Sequence, residues 1–172
     1  MKPTLVAMAR PVPTLEFERE LFATGARIVA GMDEVGRGAL AGPVTIGVVA
    51  VNASVGAVPE GLADSKLMTI KRREAMVPVA KEWGLAWATG SATAAEIDKY
   101  GIMSALGLAG SRALAALGVV PDVIILDGNN SFLMEEDNGP RVITRVKADQ
   151  NCACVSAASV IAKVERDALM TQ

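Results

Sequence analysis

Residues 27–38 read Arg-Ile-Val-Ala-Gly-Met-Asp-Glu-Val-Gly-Arg-Gly, and this stretch decides how the chain is interpreted. Its apolar part predicts a short buried strand over 27–32 that ends at Asp33 and Glu34. The glycines that follow predict a tight turn. Beyond the turn, residues 43–51 are rich in β-branched side chains, which favours a second strand.

The rest of the chain predicts an alternation of helices and strands. Pro78 is expected to kink or shorten the second helix, and Asn151 is expected to cap the last one. In the first helix, Glu16, Glu18 and Glu20 lie near the amino-terminal half, where carboxylates are favourable. The order of elements is an α/β pattern. Helices are predicted over 14–24, 69–83, 102–117 and 151–170, with a short helical piece from Thr93, and further strands over 85–91, 122–126 and 142–146.

Carboxylates follow three of the predicted strands. Asp33 and Glu34 close the first strand, Asp127 closes the fourth, and Asp149 lies just after the fifth. In an open α/β sheet, functional sites gather at the carboxyl ends of parallel strands. Successive strand residues point to opposite faces, so Asp33 and Glu34 can serve one site only if the strand breaks or turns at Glu34.

Several carboxylates held together repel one another unless a cation neutralises them. Oxygen ligands without histidine or cysteine favour Mg²⁺ or Mn²⁺ over zinc. Two such ions can activate water and stabilise the leaving oxygen of a phosphodiester. The alternative is that these acids are solvated turn residues, and residue spacing alone leaves it open.

Composition narrows the chemistry further. The 172-residue chain contains no histidine, which excludes Ser–His and Cys–His nucleophile pairs and histidine-ligated zinc. Its net charge of −2 does not indicate a nucleic-acid partner, which would have to be held by local clusters and bound cations. Cys152 and Cys154 are interpreted as small residues in a reduced interior. We expect a soluble cytoplasmic protein without a membrane partner.

Four motifs in one order resemble the ribonuclease HII family. They are spread over most of the chain, and the first alone would be much less specific. The resemblance implies a ribonuclease H-like fold, in which a five-stranded mixed sheet is flanked by helices, and a catalytic domain over 13–172 after a lead-in at 1–12. The motifs are the stretch from Gly31 to Pro43, Asp64-Ser65-Lys66, Leu126-Asp127-Gly128, and Lys147-Ala-Asp149 with the segment from Val155 to Asp167.

The resemblance also implies a set of site residues. The acids are expected to carry catalysis and to hold Mn²⁺ or Mg²⁺, and the glycine-rich turn is expected to contact 2′-hydroxyls where RNA joins DNA. Other residues are candidates for binding the substrate, chiefly its phosphates. The acids are Asp33, Glu34, Asp127 and Asp149; the turn is Gly36, Arg37 and Gly38; the further candidates are Ser65, Lys66 and Lys147.

The sequence does not decide the role of several other charged residues. Residues 71–73 could hold phosphates or form a solvated helix face. Arg166 and Asp167 are expected to be structural charged residues on the last helix that pair with neighbours of the sheet. Small residues along that helix, such as Ala157 and Ser159, are expected to let it pack closely on the sheet.

The implied activity is endonucleolytic. The resemblance implies a monomeric ribonuclease H that cuts the RNA strand of RNA–DNA hybrids and nicks 5′ to ribonucleotides embedded in duplex DNA, leaving 5′-phosphates. One alternative is another nuclease of the ribonuclease H-like superfamily. A second is a catalytically impaired nucleic-acid-binding fragment, because the chain ends at Gln172, before the family's C-terminal helices and junction tyrosine, and Tyr100 lies in an unrelated segment.

Overall fold

The computed structural model describes residues 9–134 and 136–171. It contains one five-stranded sheet with helices on both faces, which confirms the predicted fold class. The strands are β1 (Ile28–Val35), β2 (Val44–Asn52), β3 (Ala86–Ala92), β4 (Val123–Asp127) and β5 (Arg141–Arg145). The helices are α1 (Glu16–Ala23), α2 (Ile70–Trp83), α3 (Ala94–Tyr100), α4 (Ile102–Ala116), α5 (Ala148–Asn151) and α6 (Ala153–Met170), with a 3₁₀ turn at Ser65–Leu67.

The sheet is mixed, with the strand order β3-β2-β1-β4-β5. The strands β1, β2 and β3 form an antiparallel meander, whereas β4 runs parallel to β1 and β5 runs parallel to β4. The carboxyl ends of β1, β4 and β5 therefore meet at one edge of the sheet, where α/β proteins place their ligands. The described helices include none that is both long enough and apolar enough to cross a bilayer.

Glycines on the sheet set the distance at which the helices pack. A Cβ at Gly31 would collide with the backbone of α6 at Cys154 and Val155, and a Cβ at Gly47 would collide with the Ala158 carbonyl oxygen. On the other face of the sheet, a Cβ at Gly90 would collide with the backbone of α4 at Ala109 and Ala113. Because α6 carries mainly small residues, its backbone lies almost directly on β1 and β2, as the sequence predicted.

Two local features differ from what the sequence alone allowed. The strand β1 does not break at Glu34; it continues to Val35, with Glu34 paired to Ile46 of β2, and the chain turns only at Gly36, where φ is +99°. Pro78 does not shorten α2, which runs through it to Trp83. The proline is exposed, so water can reach the carbonyl group of the preceding turn that loses its partner.

The start of the last helix also differs from the expectation. Asn151 does not cap it, because residues 148–151 form the separate short helix α5 and α6 begins at Ala153. The residue at the capping position is Cys152, whose side chain makes no capping hydrogen bond. The side-chain amide of Asn151 instead donates to the Lys147 carbonyl oxygen at 3.0 Å.

The close contact of α6 with the sheet predicts the effect of a single added methyl group. Gly47→Ala should lower the free energy of unfolding by about 1–3 kcal/mol, since overpacking forces the backbones apart. Urea unfolding followed by circular dichroism measures the change. The matched control is Gly56→Ala, where a Cβ meets nothing within 4 Å. Equal effects of the two variants would contradict the packing argument.

Candidate active site

Parallel pairing brings Asp33 and Asp127 to the same edge and the same face of the sheet. Gly31 lies against α6, and Asp33, two residues further along β1, points to the same side. Ile125 packs in a cluster with Val155 of α6, and Asp127 follows it by two residues. Asp33 is buried and Asp127 is partly exposed at the end of β4.

The third aspartate comes from the turn before α6. Lys147 adopts a left-handed conformation with φ of 57°, which redirects the chain into α5. The backbone N–H of Asp149 then donates to Asp127 Oδ1 at 3.3 Å. The Ser156 hydroxyl of α6 donates to the Asp149 carbonyl oxygen. Asp149 is thereby held, almost fully buried, beside the end of β4.

Glu34 approaches the same edge from the other face of the sheet. Strand alternation points it away from Asp33, because β1 stays regular to Val35. Its Oε2 atom is buried without a hydrogen-bond partner among the described residues. The nearest cation is the Arg37 guanidinium, 4.0 Å from Oε1. Burial raises the pKa of Glu34, and the negative charge of Asp127 raises it further.

Burial and mutual repulsion both raise the pKa values of acids in this site. Burial raises the pKa of Asp33 well above its ordinary value, and the charges of Glu34, Asp127 and Asp149 add to the rise. Burial and the charge of Asp127 also raise the pKa of Asp149. Lys66 opposes these effects, since its ammonium lies 3.2 Å from Asp149 Oδ2. The site therefore carries more negative charge than one lysine neutralises.

Asp64 lies in the same region, although its sequence motif predicted no role for it. It is buried, with Oδ1 accepting the Lys66 backbone N–H at 2.9 Å and Oδ2 accepting the Gln150 side-chain amide at 3.4 Å. Its charge adds to the rise in the pKa of Asp149. An aspartate two residues before the amide it binds is typical of an Asx turn, and that spacing in Asp64-Ser65-Lys66 is the signal that could have identified it.

The predicted phosphate-binding residues differ in their exposure and in their hydrogen-bond partners. Lys66 is largely exposed, whereas Ser65 is buried with its hydroxyl hydrogen-bonded to Ser159 of α6 at 2.8 Å. Arg73 donates to the carbonyl oxygens of Ser65 and Met68, so it supports the Lys66 turn rather than forming part of a solvated face. Lys71 and Arg72 remain exposed on α2.

Two of the remaining predicted residues have simple surroundings. Lys147 is exposed, and none of the ion pairs among the described residues includes it. Asp167 pairs with Lys163 at 2.6 Å and lies 4.0 Å from Arg73. Arg166 points away from Asp167 and binds the glycine-rich loop between β1 and β2, which agrees with the expected structural role beside the sheet.

Arg166 fixes the loop that carries Gly36, Arg37 and Gly38. Its guanidinium is buried and donates to the carbonyl oxygens of Pro43 at 2.7 Å and Ala41 at 3.0 Å. A Cβ at Gly36 would occupy the place of that guanidinium, whereas Gly38 faces open space. The turn, Lys66 and Lys163 line a groove of about 380 Å³ beside Glu34.

The carboxylate oxygens of the site are suitable ligands for a divalent cation, although they are not close enough together to surround one. Within residues 9–134 and 136–171, no three acidic or sulfur-bearing side chains converge closely enough to surround an ion. The oxygens are nevertheless of the type that Mg²⁺ and Mn²⁺ prefer. A buried Glu34 oxygen lacks a partner among the described residues, and the charges of Glu34, Asp127 and Asp149 add to the burial that raises the pKa of Asp33, so a cation there would relieve their repulsion.

Comparison with known proteins assigns a family to this arrangement. The model of the family described as ribonuclease HII matches residues 30–172. The chain belongs to the ribonuclease HII family. It shares 52% identity over 162 residues with ribonuclease HII of Streptomyces griseus, a match that covers 93% of this chain and 66% of the relative. Ribonuclease HII of Streptomyces avermitilis is 50% identical, with 93% and 67% covered. The chain thus spans about two thirds of these relatives.

A solved structure agrees with the same family. Ribonuclease H2 of Pyrococcus horikoshii superposes with a TM-score of 0.71 at 29% identity, covering 84% of this chain and 74% of that one. Ribonuclease HII proteins are ribonuclease H enzymes, so the predicted enzyme class is confirmed at the level of the family. The match begins at β1 and includes every acid of the site described above.

The crowded acids of this ribonuclease HII chain predict an unusual stability change. A pKa raised by folding means that the native state loses relative stability as the pH rises through that pKa. Asp33→Asn should therefore raise Tm at pH 7 in EDTA, and the gain should shrink as the pH falls and the wild-type carboxyl group takes up its proton. Differential scanning calorimetry from pH 4 to pH 8 measures both effects.

An exposed acid provides a control of opposite sign. The Arg112 guanidinium lowers the pKa of Glu96 to about 2, so Glu96 stabilises the native state above its unfolded pKa and stops doing so as the pH falls through the lowered value. Glu96→Gln should lower Tm at pH 7. A fall in Tm for Asp33→Asn under the same conditions would contradict the electrostatic description of the site.

Proposed function

We propose that this protein is an endonuclease that hydrolyses the RNA strand of RNA–DNA hybrids and nicks 5′ to ribonucleotides embedded in duplex DNA. The product ends are a 3′-hydroxyl and a 5′-phosphate. The proposal is supported by membership in the ribonuclease HII family together with the arrangement of the site.

One observation carries the proposal. Three aspartates from separate parts of the chain meet at one sheet edge, and their charges are only partly neutralised. A protein that needed only stability would not keep Asp33 and Asp149 buried beside Asp127, because buried like charges are costly. This arrangement is favourable when cations and a phosphodiester complete it.

Asp33, Asp127 and Asp149 are the residues that would hold the cations from one face of the sheet, and Glu34, which points to the other face, would reach them only across the end of β1. When bound, Mn²⁺ or Mg²⁺ would supply an activated water and stabilise the leaving oxygen of the phosphodiester. The chain's own part is to hold these carboxylates close together, at a place where burial and mutual repulsion make a bound cation favourable. Hydrogen bonds to the Asp149 backbone keep this residue in place: its N–H donates to the Asp127 carboxylate, and its carbonyl oxygen accepts the Ser156 hydroxyl.

The glycine-rich turn is the part of the site proposed to contact the ribose 2′-hydroxyl of the substrate. Gly38 faces open space, so a nucleic-acid strand can approach the backbone closely there. The 2′-hydroxyl is both a donor and an acceptor, and backbone groups can distinguish it from deoxyribose at that position. Arg166 holds the turn through Pro43 and Ala41, so these groups are fixed before the substrate binds.

Basic side chains along the groove are the proposed phosphate contacts. Lys66 reaches from its turn to Asp149 and is largely exposed, so it can neutralise a substrate phosphate beside the acids. The Arg37 side chain is half exposed at the other side of Glu34. These local cations explain how an acidic protein can hold a polyanion.

The function is tested with a DNA duplex that carries one ribonucleotide. With Mg²⁺ or Mn²⁺, the wild-type protein should nick 5′ to the ribonucleotide, and EDTA should abolish the nick. Asp33→Asn and Asp127→Asn should each lower the rate by about 100-fold or more, since losses from neighbours of metal ligands already reach 10–100-fold. Denaturing gel electrophoresis identifies the cut and its ends.

A matched acid controls for charge. Asp98→Asn alters an exposed aspartate of α3 and should leave the rate unchanged. If the folded wild-type protein binds the duplex but makes no metal-dependent nick, the chain is a nucleic-acid-binding fragment and the proposed activity is wrong. Cleavage of a branched all-DNA substrate instead would indicate another nuclease of the ribonuclease H-like superfamily.

Arg37 offers a separate test of phosphate binding. Arg37→Ala should weaken binding of the hybrid and reduce the slope of log K against log salt by about one unit, the change expected when one phosphate contact is lost. Fluorescence anisotropy at several salt concentrations measures it. Arg27→Ala is the control, because Arg27 is exposed at the opposite edge of the sheet. The same slope change in both variants would contradict a specific contact at Arg37.

A further inference from the structure

Glu18 is a buried charged residue that the proposed reaction does not use. It lies on α1, and among the described charged residues it alone has an exposure of 0%. Burial raises the pKa of its carboxyl group, which its hydrogen bonds only partly oppose. The Oε2 atom has no hydrogen-bond partner among the described residues. An apolar residue would fill this place at lower cost if stability alone mattered.

The carboxylate of Glu18 caps a helix to which it does not belong. Its Oε1 atom accepts the backbone N–H of Cys154 at 3.0 Å, in the first turn of α6. Helix starts leave their first N–H groups without intrahelical partners, and Cys152, at the capping position, supplies no side-chain acceptor. The negative charge also lies at the positive end of the helix dipole.

The same segment of chain clamps the residues before α6. Thr14, just before α1, donates its N–H to the Asn151 carbonyl oxygen at 3.0 Å and accepts the Ala153 N–H at 2.9 Å. Thr14 and Glu18 thus hold the carboxyl-terminal half of one bend, residues 148–154, which we call the elbow. Asp149 lies in this elbow and donates to Asp127.

We propose that Glu18 is a positioning residue that fixes the elbow and, through it, the carboxylate of Asp149. The proposal rests on the proposed function insofar as Asp149 binds a cation. Without the acceptor at Glu18, the first turn of α6 loses its cap and the elbow gains freedom. Asp149 then spends less time beside Asp127, and the cation site is less well formed.

The test compares Glu18→Met with Glu18→Gln. Methionine fills the same space without accepting a hydrogen bond, whereas glutamine keeps an oxygen for the Cys154 N–H. In the metal-free protein, hydrogen exchange followed by mass spectrometry should show faster exchange in residues 148–155 for Glu18→Met only. Mn²⁺ binding, followed by electron paramagnetic resonance of the free ion, should weaken by about 10–100-fold in Glu18→Met, the range for partners that orient metal ligands. Glu18→Gln should retain most of the wild-type affinity.

Kinetics separate positioning from general loss of stability. In Glu18→Met, kcat should fall while KM for the duplex stays nearly unchanged, because the substrate groove is formed by other residues. Leu117→Ala is the control: it removes a buried side chain at the end of α4, next to the opposite edge of the sheet, and should lower Tm without changing exchange in the elbow or Mn²⁺ affinity.

The outcomes decide the two proposals separately. If Glu18→Met lowers Tm as the control does but leaves elbow exchange and Mn²⁺ affinity at wild-type values, Glu18 is only a stabilising residue and the proposal is overturned. A failure of Glu18→Gln to restore affinity would also overturn it, since the hydrogen bond would then not be the cause. If the wild-type protein binds no Mn²⁺ and makes no nick, the proposed function fails, and the exchange measurement still decides whether Glu18 holds the elbow.

Discussion

The contact of α6 with β1 and β2 is the constraint on which the rest of the structure depends. Gly31 and Gly47 allow the helix backbone to lie directly on the sheet. The start of α6 holds Asp149, and Ser159 in its middle binds the turn before Lys66. Near its end, Arg166 holds the loop of Gly36. One helix therefore sets the positions of three parts of the site, and any shift of it along the sheet would move them together.

The site combines a rigid frame with unfavourable electrostatics. The frame is apolar and close-packed, so it can hold several acids where they repel one another. Asp33 is nearly inaccessible to water, and Lys66 neutralises only part of the charge around Asp149. Repulsion among the acids lowers the free energy of unfolding, and packing of the apolar core compensates for this loss. Such a compensation is typical of sites that bind charged ligands.

Sequence patterns predicted the fold and the acids, because both depend on short-range signals. Apolar runs that end in acids gave the strands and the edge, and the motif order indicated the family. What they missed depends on contacts between distant residues. The direction of Glu34 followed from the full length of β1, and the burial of Glu18 followed from the packing of α1 beside α6. The exposed position of Pro78 likewise depends on which side of α2 faces the core.

The pairing of β1 with β4 has a consequence for how the chain folds. These two strands are neighbours in space but far apart in sequence, with β2, β3 and three helices between them. Long-range pairing of this kind forms slowly, since a long loop must close first. The antiparallel β1–β2–β3 meander can form earlier from adjacent segments. During synthesis Asp33 is therefore made long before Asp127 and Asp149, and the repulsion between Asp33 and Asp127 arises only when these distant strands pair.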